Sequence, residues 1–200
     1  NNNHRILIVG CGELGSRFMQ SIAKINNFVE VWCYDIQKSQ FETCTQRIKQ
    51  INPKKIKEFN FTDNLKRIPR DIDLCIITTT ANHRLSALKS VLSVCMPTNI
   101  LLEKILFQKL ADYDEALMLL ESSSLVENTY VHCPRREWEG YMLLKKEILN
   151  EEIISFSVLG ESLRIATNSI HFIDLVQYLN QTPVKFKSSL VVIDERVTNR

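Results

Sequence analysis

The residues with the clearest chemical potential form the loop Gly10–Gly15, which follows a short apolar run and reads Gly-Cys-Gly-Glu-Leu-Gly. In a G-x-G-x-x-G pattern the first glycine permits a tight turn, the second lets the backbone approach a pyrophosphate, and the third lets a helix pack on a strand. The N–H groups at the start of that helix then face the phosphates. The loop predicts a dinucleotide site; a turn that binds nothing, or a site for another nucleotide such as S-adenosylmethionine, is the alternative.

A carboxylate supports the dinucleotide interpretation. Asp35 lies at the end of the second predicted strand, roughly 20 residues after Gly15, where an acidic residue accepts hydrogen bonds from ribose hydroxyls. The same carboxylate repels a 2′-phosphate, so NAD is the expected cofactor. Lys38 lies nearby and weakens that preference, which keeps NADP as the alternative cofactor.

Alternating strands and helices must position these residues. Short apolar runs predict buried strands, and the amphipathic segments between them predict helices. The alternation favours parallel pairing with right-handed crossovers, hence an α/β fold with a doubly wound Rossmann sheet over residues 1–134. The predicted strands are Arg5–Val9, Val29–Tyr34, Lys57–Phe61, Asp71–Thr79, Thr98–Leu102 and Val126–Cys133, and the predicted helices are Gly15–Asn26, Gln37–Gln50, Asn82–Val94 and Lys109–Glu121.

The pattern changes after Pro134. Helices are predicted at Arg135–Leu149 and Thr167–Leu179, whereas Ile153–Leu159 and Val184–Val197 alternate apolar and polar residues as half-exposed strands do. Half-exposed strands are typical of an antiparallel sheet. Residues 135–200 are therefore expected to be part of a second, α+β domain with a mainly antiparallel sheet, and we expect this domain to be truncated.

Three segments at the ends of predicted elements resemble one family in their order and spacing. Ile76–His83 ends the fourth strand, Leu102-Glu103-Lys104 ends the fifth, and Asn168–Asp174 opens a helix of the second domain. Together they resemble the glucose–fructose oxidoreductase/inositol dehydrogenase family, known as Gfo/Idh/MocA, from Arg5 to the end of the chain. The glycine loop is shared with many folds, whereas Glu-Lys followed later by Ile-His-x-x-Asp is more specific.

The resemblance implies roles for particular side chains. His171 matches the histidine that transfers the substrate proton, a role suited to a group that titrates near neutrality. Lys104 matches a catalytic lysine that holds the substrate oxygen and stabilises its developing negative charge. Asn168 is expected to bind the substrate together with Lys104 and His171. The residues expected to bind the cofactor are Gly10, Gly12, Glu13, Leu14, Gly15, Asp35, Thr78, Thr79, Asn82, His83 and Glu103.

The chain departs from the family pattern at two positions. Ile105 replaces the proline that follows the lysine, and Thr167 replaces an acid four residues before the histidine. Asp174, three residues after His171, is expected to orient the imidazole. The lost proline and acid support an alternative function, a non-catalytic dinucleotide-binding sensor or scaffold, against which the intact Lys104 and His171 argue.

The composition excludes several other functions. Over 200 residues, 25 Lys and Arg against 23 Asp and Glu leave a net charge of +2, which excludes polyanion binding through bulk charge. No apolar run reaches the ~18 residues of a membrane span, and the first residues do not form a signal peptide. The six cysteines are widely separated and predict no metal site.

The sequence therefore predicts a cytoplasmic NAD(P)-dependent oxidoreductase. Hydride transfer is expected between the nicotinamide and a hydroxyl or keto carbon of a sugar, sugar nucleotide or cyclic polyol. No nucleic-acid or membrane partner is expected. If the full-length protein carries the family's second-domain sheet, that sheet is expected to join copies in a homo-oligomer.

Overall fold

The computed structural model describes residues 4–25, 29–51, 58–149, 151, 153, 155–160 and 165–180. The chain divides into two compact units, Asn1–His132 and Cys133–Arg200.

The first unit is built on one parallel sheet, which confirms the predicted doubly wound α/β fold. Its six strands follow the order β3-β2-β1-β4-β5-β6, and every neighbouring pair is parallel. The order reverses between β1 and β4, the point where such sheets open a crevice for ligands. The strands are β1 (His4–Val9), β2 (Val29–Tyr34), β3 (Glu58–Thr62), β4 (Asp71–Ile77), β5 (Met96–Leu102) and β6 (Thr129–Val131).

Helices cover both faces of this sheet because side chains alternate along each strand. In β1, Leu7 joins a buried apolar cluster that includes Leu88, whereas Ile8 joins a second cluster that includes Met19. Both clusters are needed because a parallel sheet is apolar on its two faces. The helices of the first unit are α1 (Glu13–Ile22), α2 (Ser39–Lys49), α3 (Ala81–Leu92) and α4 (Leu110–Ser122).

Two predicted elements are shorter than the sequence pattern indicates. The strand predicted at Val126–Cys133 is confined to Thr129–Val131, because a 3-10 turn at Val126–Asn128 precedes it. That turn is closed by a hydrogen bond from Asn128 N to the carbonyl oxygen of the buried Leu125. The fourth strand likewise ends at Ile77 rather than Thr79, since the chain turns there toward α3.

The regular structure of the described part of the second unit is helical. The helix predicted at Arg135–Leu149 is divided into a 3-10 turn at Pro134–Glu137 and the helix α5 (Glu139–Glu147), because the backbone of Trp138 between them is extended. The helix α6 spans Ile165–Leu179.

The two strands predicted for the second unit have different outcomes. The prediction at Ile153–Leu159 is wrong at its described positions, 153 and 155–159, which have no regular structure. No strand of the described part of this unit is available to pair with them, and an unpaired strand has no ladder of hydrogen bonds to stabilise it. The prediction at Val184–Val197 lies outside the described residues. Within the described part of the chain, none of the helices has the length and apolar character needed to cross a membrane.

Candidate functional site

The register of the sheet places five chemically distinctive residues side by side. Tyr34 pairs with Val9, Val9 with Ile77, Ile77 with Leu102, and Leu102 with Val131. The residue directly after each of these five strands therefore lies at the same level at the carboxyl edge of the sheet. These residues are Asp35, Gly10, Thr78, Glu103 and His132.

Two glycines of the loop are required by the fold itself. Gly10 has a φ of +95°, a conformation that L side chains rarely adopt. A Cβ on Gly15 would lie 1.9 Å from the carbonyl oxygen of Gly10, so only glycine allows α1 to approach β1 this closely. Both residues are explained without a ligand.

Gly12 differs from these two glycines. Its φ is −70°, which any residue adopts, and a Cβ there would meet no described atom within 4 Å. Gly12 directly precedes α1, whose first N–H groups are available to an anion. The protein alone therefore does not require glycine at this position, whereas a pyrophosphate lying against the loop backbone does.

Asp35 supports the loop and lines the neighbouring cleft. Its Oδ2 accepts a hydrogen bond from Cys11 N at 2.7 Å, and its Oδ1 accepts one from Gln37 N at 2.8 Å. Each oxygen keeps a further lone pair for a ribose hydroxyl. A cleft of about 200 Å³ opens beside Asp35, with Gly10, Ile36 and His83 among its lining residues.

The two loop residues between the last glycines are exposed. Glu13 forms ion pairs with Arg47 of α2 and with Arg17, and the hydrogen bond from Arg47 holds the pKa of Glu13 below its usual range. Arg47 also donates to the Glu13 carbonyl oxygen at 3.0 Å and to Ser16 Oγ. The Glu13 carboxylate is thus neutralised where α1 begins, and Leu14 is 46% exposed.

The residues after β4 connect the loop to α3. Thr78 Oγ1 donates to the carbonyl oxygen of Gly10 at 2.6 Å, which ties the end of β4 to the glycine loop. Thr79 is partly buried. Asn82 and His83 are exposed in the first turn of α3, and Asn82 Nδ2 lies 3.2 Å from His83 Nε2.

A buried carboxylate marks the end of β5. Glu103 is only 2% exposed, and its Oε1 lies 2.5 Å from Nδ1 of His132, which follows β6. The His132 ring packs on Phe18 of α1 with ring centroids 5.0 Å apart. Lys104 follows Glu103 and is partly exposed, and the peptide bond between Lys104 and Ile105 is cis.

The candidate residues of the second unit lie on α6. Asn168 and His171 are both partly buried. Asp174 is bound by Arg136, which donates to both of its carboxylate oxygens, to Oδ2 at 3.0 Å. This ion pair fastens α6 to the turn at Pro134–Glu137, and the expected role of Asp174 in orienting His171 stays a prediction.

Sequence reasoning missed three side chains that organise the site. Arg47 neutralises Glu13, His132 pairs with Glu103, and Arg84 donates to three backbone carbonyls near Lys104. None of the three belongs to a motif. The predicted strand Val126–Cys133 includes His132, so the position of His132 directly after β6 became apparent only in the structure.

Comparison with protein families gives a match to most of the first unit. The matching family is described as ketopantoate reductase PanE/ApbA, and the match covers residues 6–103. This range begins in β1, contains the glycine loop and ends at Glu103. No curated protein sequence matches the chain.

Solved structures with the same fold include several dehydrogenases. The scyllo-inositol dehydrogenase from Lactobacillus casei with bound NAD(H) and scyllo-inositol is 17% identical, with a TM-score of 0.65 over 90% of this chain and 56% of that chain. The myo-inositol 2-dehydrogenase from Lactobacillus plantarum is 19% identical, with a TM-score of 0.66 over 90% and 57%. The UDP-N-acetylglucosamine 3-dehydrogenase from Acidithiobacillus ferrooxidans is 14% identical, with a TM-score of 0.62 over 90% and 55%.

These likenesses establish the fold. The chain spans little more than half the length of the three structures. The family predicted from the motifs takes part of its name from inositol dehydrogenases, and two of these structures are inositol dehydrogenases. The family model that matches the chain instead describes ketopantoate reductases. Membership of the Gfo/Idh/MocA family thus stays a prediction.

Proposed function

We propose that the first unit binds NAD(H) and that the protein uses it as an oxidoreductase. The proposed substrate is a sugar, sugar nucleotide or cyclic polyol, which would exchange a hydride with the nicotinamide at a hydroxyl or keto carbon. The observation that carries the proposal is Gly12, a glycine that neither its φ nor its neighbours require. Gly12 in the loop and Asp35 at the neighbouring cleft would together hold a dinucleotide.

The comparisons support the same cofactor class. The scyllo-inositol dehydrogenase that shares the fold carries bound NAD(H), and the family match to a reductase covers the glycine loop. The proposal of a polyol or sugar substrate draws on the inositol dehydrogenases and on the motifs that contain Lys104 and His171. The match to ketopantoate reductase stops at Glu103. It therefore supports the proposed cofactor but not the proposed substrate.

Particular residues would hold each part of the cofactor. The Gly12 backbone and the first N–H groups of α1 would hold the pyrophosphate, and Asp35 would accept from the ribose hydroxyls. NAD is preferred over NADP in this proposal because Asp35 would repel a 2′-phosphate. Lys38 forms an ion pair with Asp63, with Nζ 3.1 Å from Oδ2, so its charge is partly offset.

The chemistry is assigned to Lys104 and His171. The nicotinamide, when bound, supplies the acceptor or donor of the hydride. His171 would take the proton of the substrate hydroxyl, Lys104 would hold the oxygen and stabilise its developing charge, and Asn168 would bind a further hydroxyl. The two reacting groups belong to different units, and their action on one substrate is part of the proposal.

The cofactor site is tested by a matched pair of glycine substitutions. In Gly12→Val the new side chain enters space that we assign to the pyrophosphate, so calorimetry should detect no NADH binding while the thermal unfolding midpoint stays close to wild type. Gly140→Val is the control, because a Cβ at Gly140 in α5 also meets no described atom within 4 Å. Wild-type NADH affinity in a folded Gly12→Val protein would refute the proposal.

A non-catalytic dinucleotide-binding sensor is the second candidate. It is favoured by Thr167, which replaces an acid, and by Ile105, which replaces a proline. Both candidates bind NADH through Gly12. They differ in whether the protein turns over a substrate, for which Lys104 and His171 would be needed.

A further inference from the structure

Arg84, in the first turn of α3, is an almost fully buried cation with 2% exposure. Its guanidinium donates to the carbonyl oxygens of Thr79 and Ile105, and to that of Leu106 at 2.9 Å. A guanidinium carries five N–H donors in a rigid fork, so one side chain can hold several carbonyls in fixed positions. Ile105 and Leu106 directly follow Lys104, and Thr79 follows β4. One arginine therefore ties together the loops after two neighbouring strands.

The burial of this charge indicates a role other than packing. Removal from water disfavours the cation, and burial lowers the pKa of Arg84. The nearby carboxylate of Glu103, also 2% exposed, acts in the opposite direction. Well-packed apolar residues often stabilise a fold as much as a buried charge pair does, or more. The arginine thus contributes something that an apolar side chain cannot, namely donors aimed at the backbone around Lys104.

We propose that Arg84 is a positioning residue that fixes the backbone directly after Lys104. Arg84 holds the carbonyls of Ile105 and Leu106. Before Lys104, Glu103 is held separately, through the contact of its carboxylate with His132. Because a lysine side chain has many rotamers, a fixed backbone limits the region that its ammonium group can reach. This inference rests on the proposed role of Lys104 at the nicotinamide end of the site.

The three hydrogen bonds from Arg84, which we call the Arg84 clamp, act where Ile105 replaces the proline of the motif. A proline limits its own φ to about −65°, whereas isoleucine leaves the backbone freer to move. The proline expected from the motif is absent, and the hydrogen bonds from Arg84 act on that same residue and on the next one. A restraint that a proline would build into the chain is here supplied from α3.

The clamp also reaches Thr79, whose segment is proposed to contact the nicotinamide half of the cofactor. Loss of Arg84 should therefore loosen the loops after β4 and β5 while leaving the glycine loop and Asp35 in place. Thr79 also lines the cleft beside Asp35, so a ligand that lacks nicotinamide should sense the change, but less than NADH does. Comparison of NADH with ADP-ribose thus separates positioning from a general loss of structure.

The variants Arg84→Lys and Arg84→Met test the proposal, with Arg67→Lys as the control at an exposed arginine of the same unit. Arg84→Lys keeps the charge and loses the fork, so it is the informative variant if Arg84→Met fails to fold. Backbone hydrogen exchange is followed in segments 103–107 and 10–16. Affinities for NADH and ADP-ribose are measured by calorimetry on the same preparations.

In Arg84→Lys, exchange in segment 103–107 should accelerate at least about tenfold, the effect of losing one or two hydrogen bonds, with no change in segment 10–16. NADH affinity should fall several-fold, and ADP-ribose affinity should fall by a smaller factor. Unchanged exchange in segment 103–107, or an equal increase in both segments, would overturn the positioning role. A wild-type chain that binds neither ligand would instead overturn the proposed function, whatever the exchange shows.

Discussion

The glycine loop after β1 and the segment after β5 lie at the same edge of one sheet, yet different forces hold them in place. The loop is shaped by backbone: Gly10 N donates to the carbonyl oxygen of Tyr34 at 2.9 Å, and Gly15 allows α1 to approach. The segment after β5 is held by side chains, the buried Arg84 of α3 and the partly exposed His132 that follows β6. The first arrangement depends on residues that have no side chain, and the second on residues that have long or polar ones.

This difference shows how the two regions respond to mutation. In the loop, a substitution adds side-chain atoms, and its effect depends on whether protein atoms or ligand atoms occupy the positions that the new atoms would take. After β5, a removed side chain leaves backbone carbonyls or a buried carboxylate without partners, which destabilises locally. Substitutions at chosen positions therefore test each region separately.

The largest effect is expected for Gly15→Ala, which tests whether backbone packing shapes the loop. The added Cβ would lie 1.9 Å from a backbone oxygen that cannot move without shifting β1. We expect a loss of at least about 3 kcal/mol in the free energy of unfolding, or no folded protein, measured by urea denaturation. Gly140→Ala, at an open helical position, should be neutral or slightly stabilising. A Gly15→Ala protein as stable as wild type would contradict the packing argument.

The next largest effect concerns the chemistry assigned to the region after β5 and to α6. Lys104→Ala and His171→Ala should each lower kcat/KM at least ~100-fold, the low end of what a positioned proton-transfer group contributes. NADH affinity should stay nearly unchanged in both. Myo-inositol, scyllo-inositol and UDP-N-acetylglucosamine are the probe substrates, and the exposed Lys109→Ala is the control. Turnover at the wild-type rate in both variants would contradict the roles assigned to Lys104 and His171, whereas a wild-type protein that binds NADH and turns over none of the probes would favour the sensor.

A smaller effect is expected at Asp35, which combines loop support with cofactor choice. Asp35→Asn removes the charge and keeps one acceptor for Cys11 N or Gln37 N, whereas Asp35→Ala removes both acceptors. NAD affinity should fall about tenfold in Asp35→Asn, with NADP binding relatively better. Asp35→Ala should in addition unfold at a lower temperature. If calorimetry shows that the wild type already prefers NADP, the role assigned to Asp35 is wrong.

Much of the fold was predictable because its signals are local. The apolar runs of β1 and β2 and the amphipathic spacing of α3 indicated their elements, and the alternation of strands and helices indicated parallel pairing. Predictions were less accurate where a local turn ended an element. The 3-10 turn at Val126–Asn128 shortens β6, and the extended backbone at Trp138 separates the turn at Pro134–Glu137 from α5. In the second unit, the alternation at Ile153–Leu159 indicated a strand that the described residues do not form.

By itself, the sequence determined the glycine loop and the carboxylate at Asp35, since both follow from short-range spacing that a strand–turn–helix imposes. Only the tertiary structure decided which side chains surround Lys104 and Glu103. Arg84 and Ile105 are 21 positions apart, and Glu103 and His132 are 29 positions apart. Contacts across such separations depend on the register of whole parallel strands and on how α3 packs against the sheet. No local pattern encodes that register, because many weak contacts along every strand set it together.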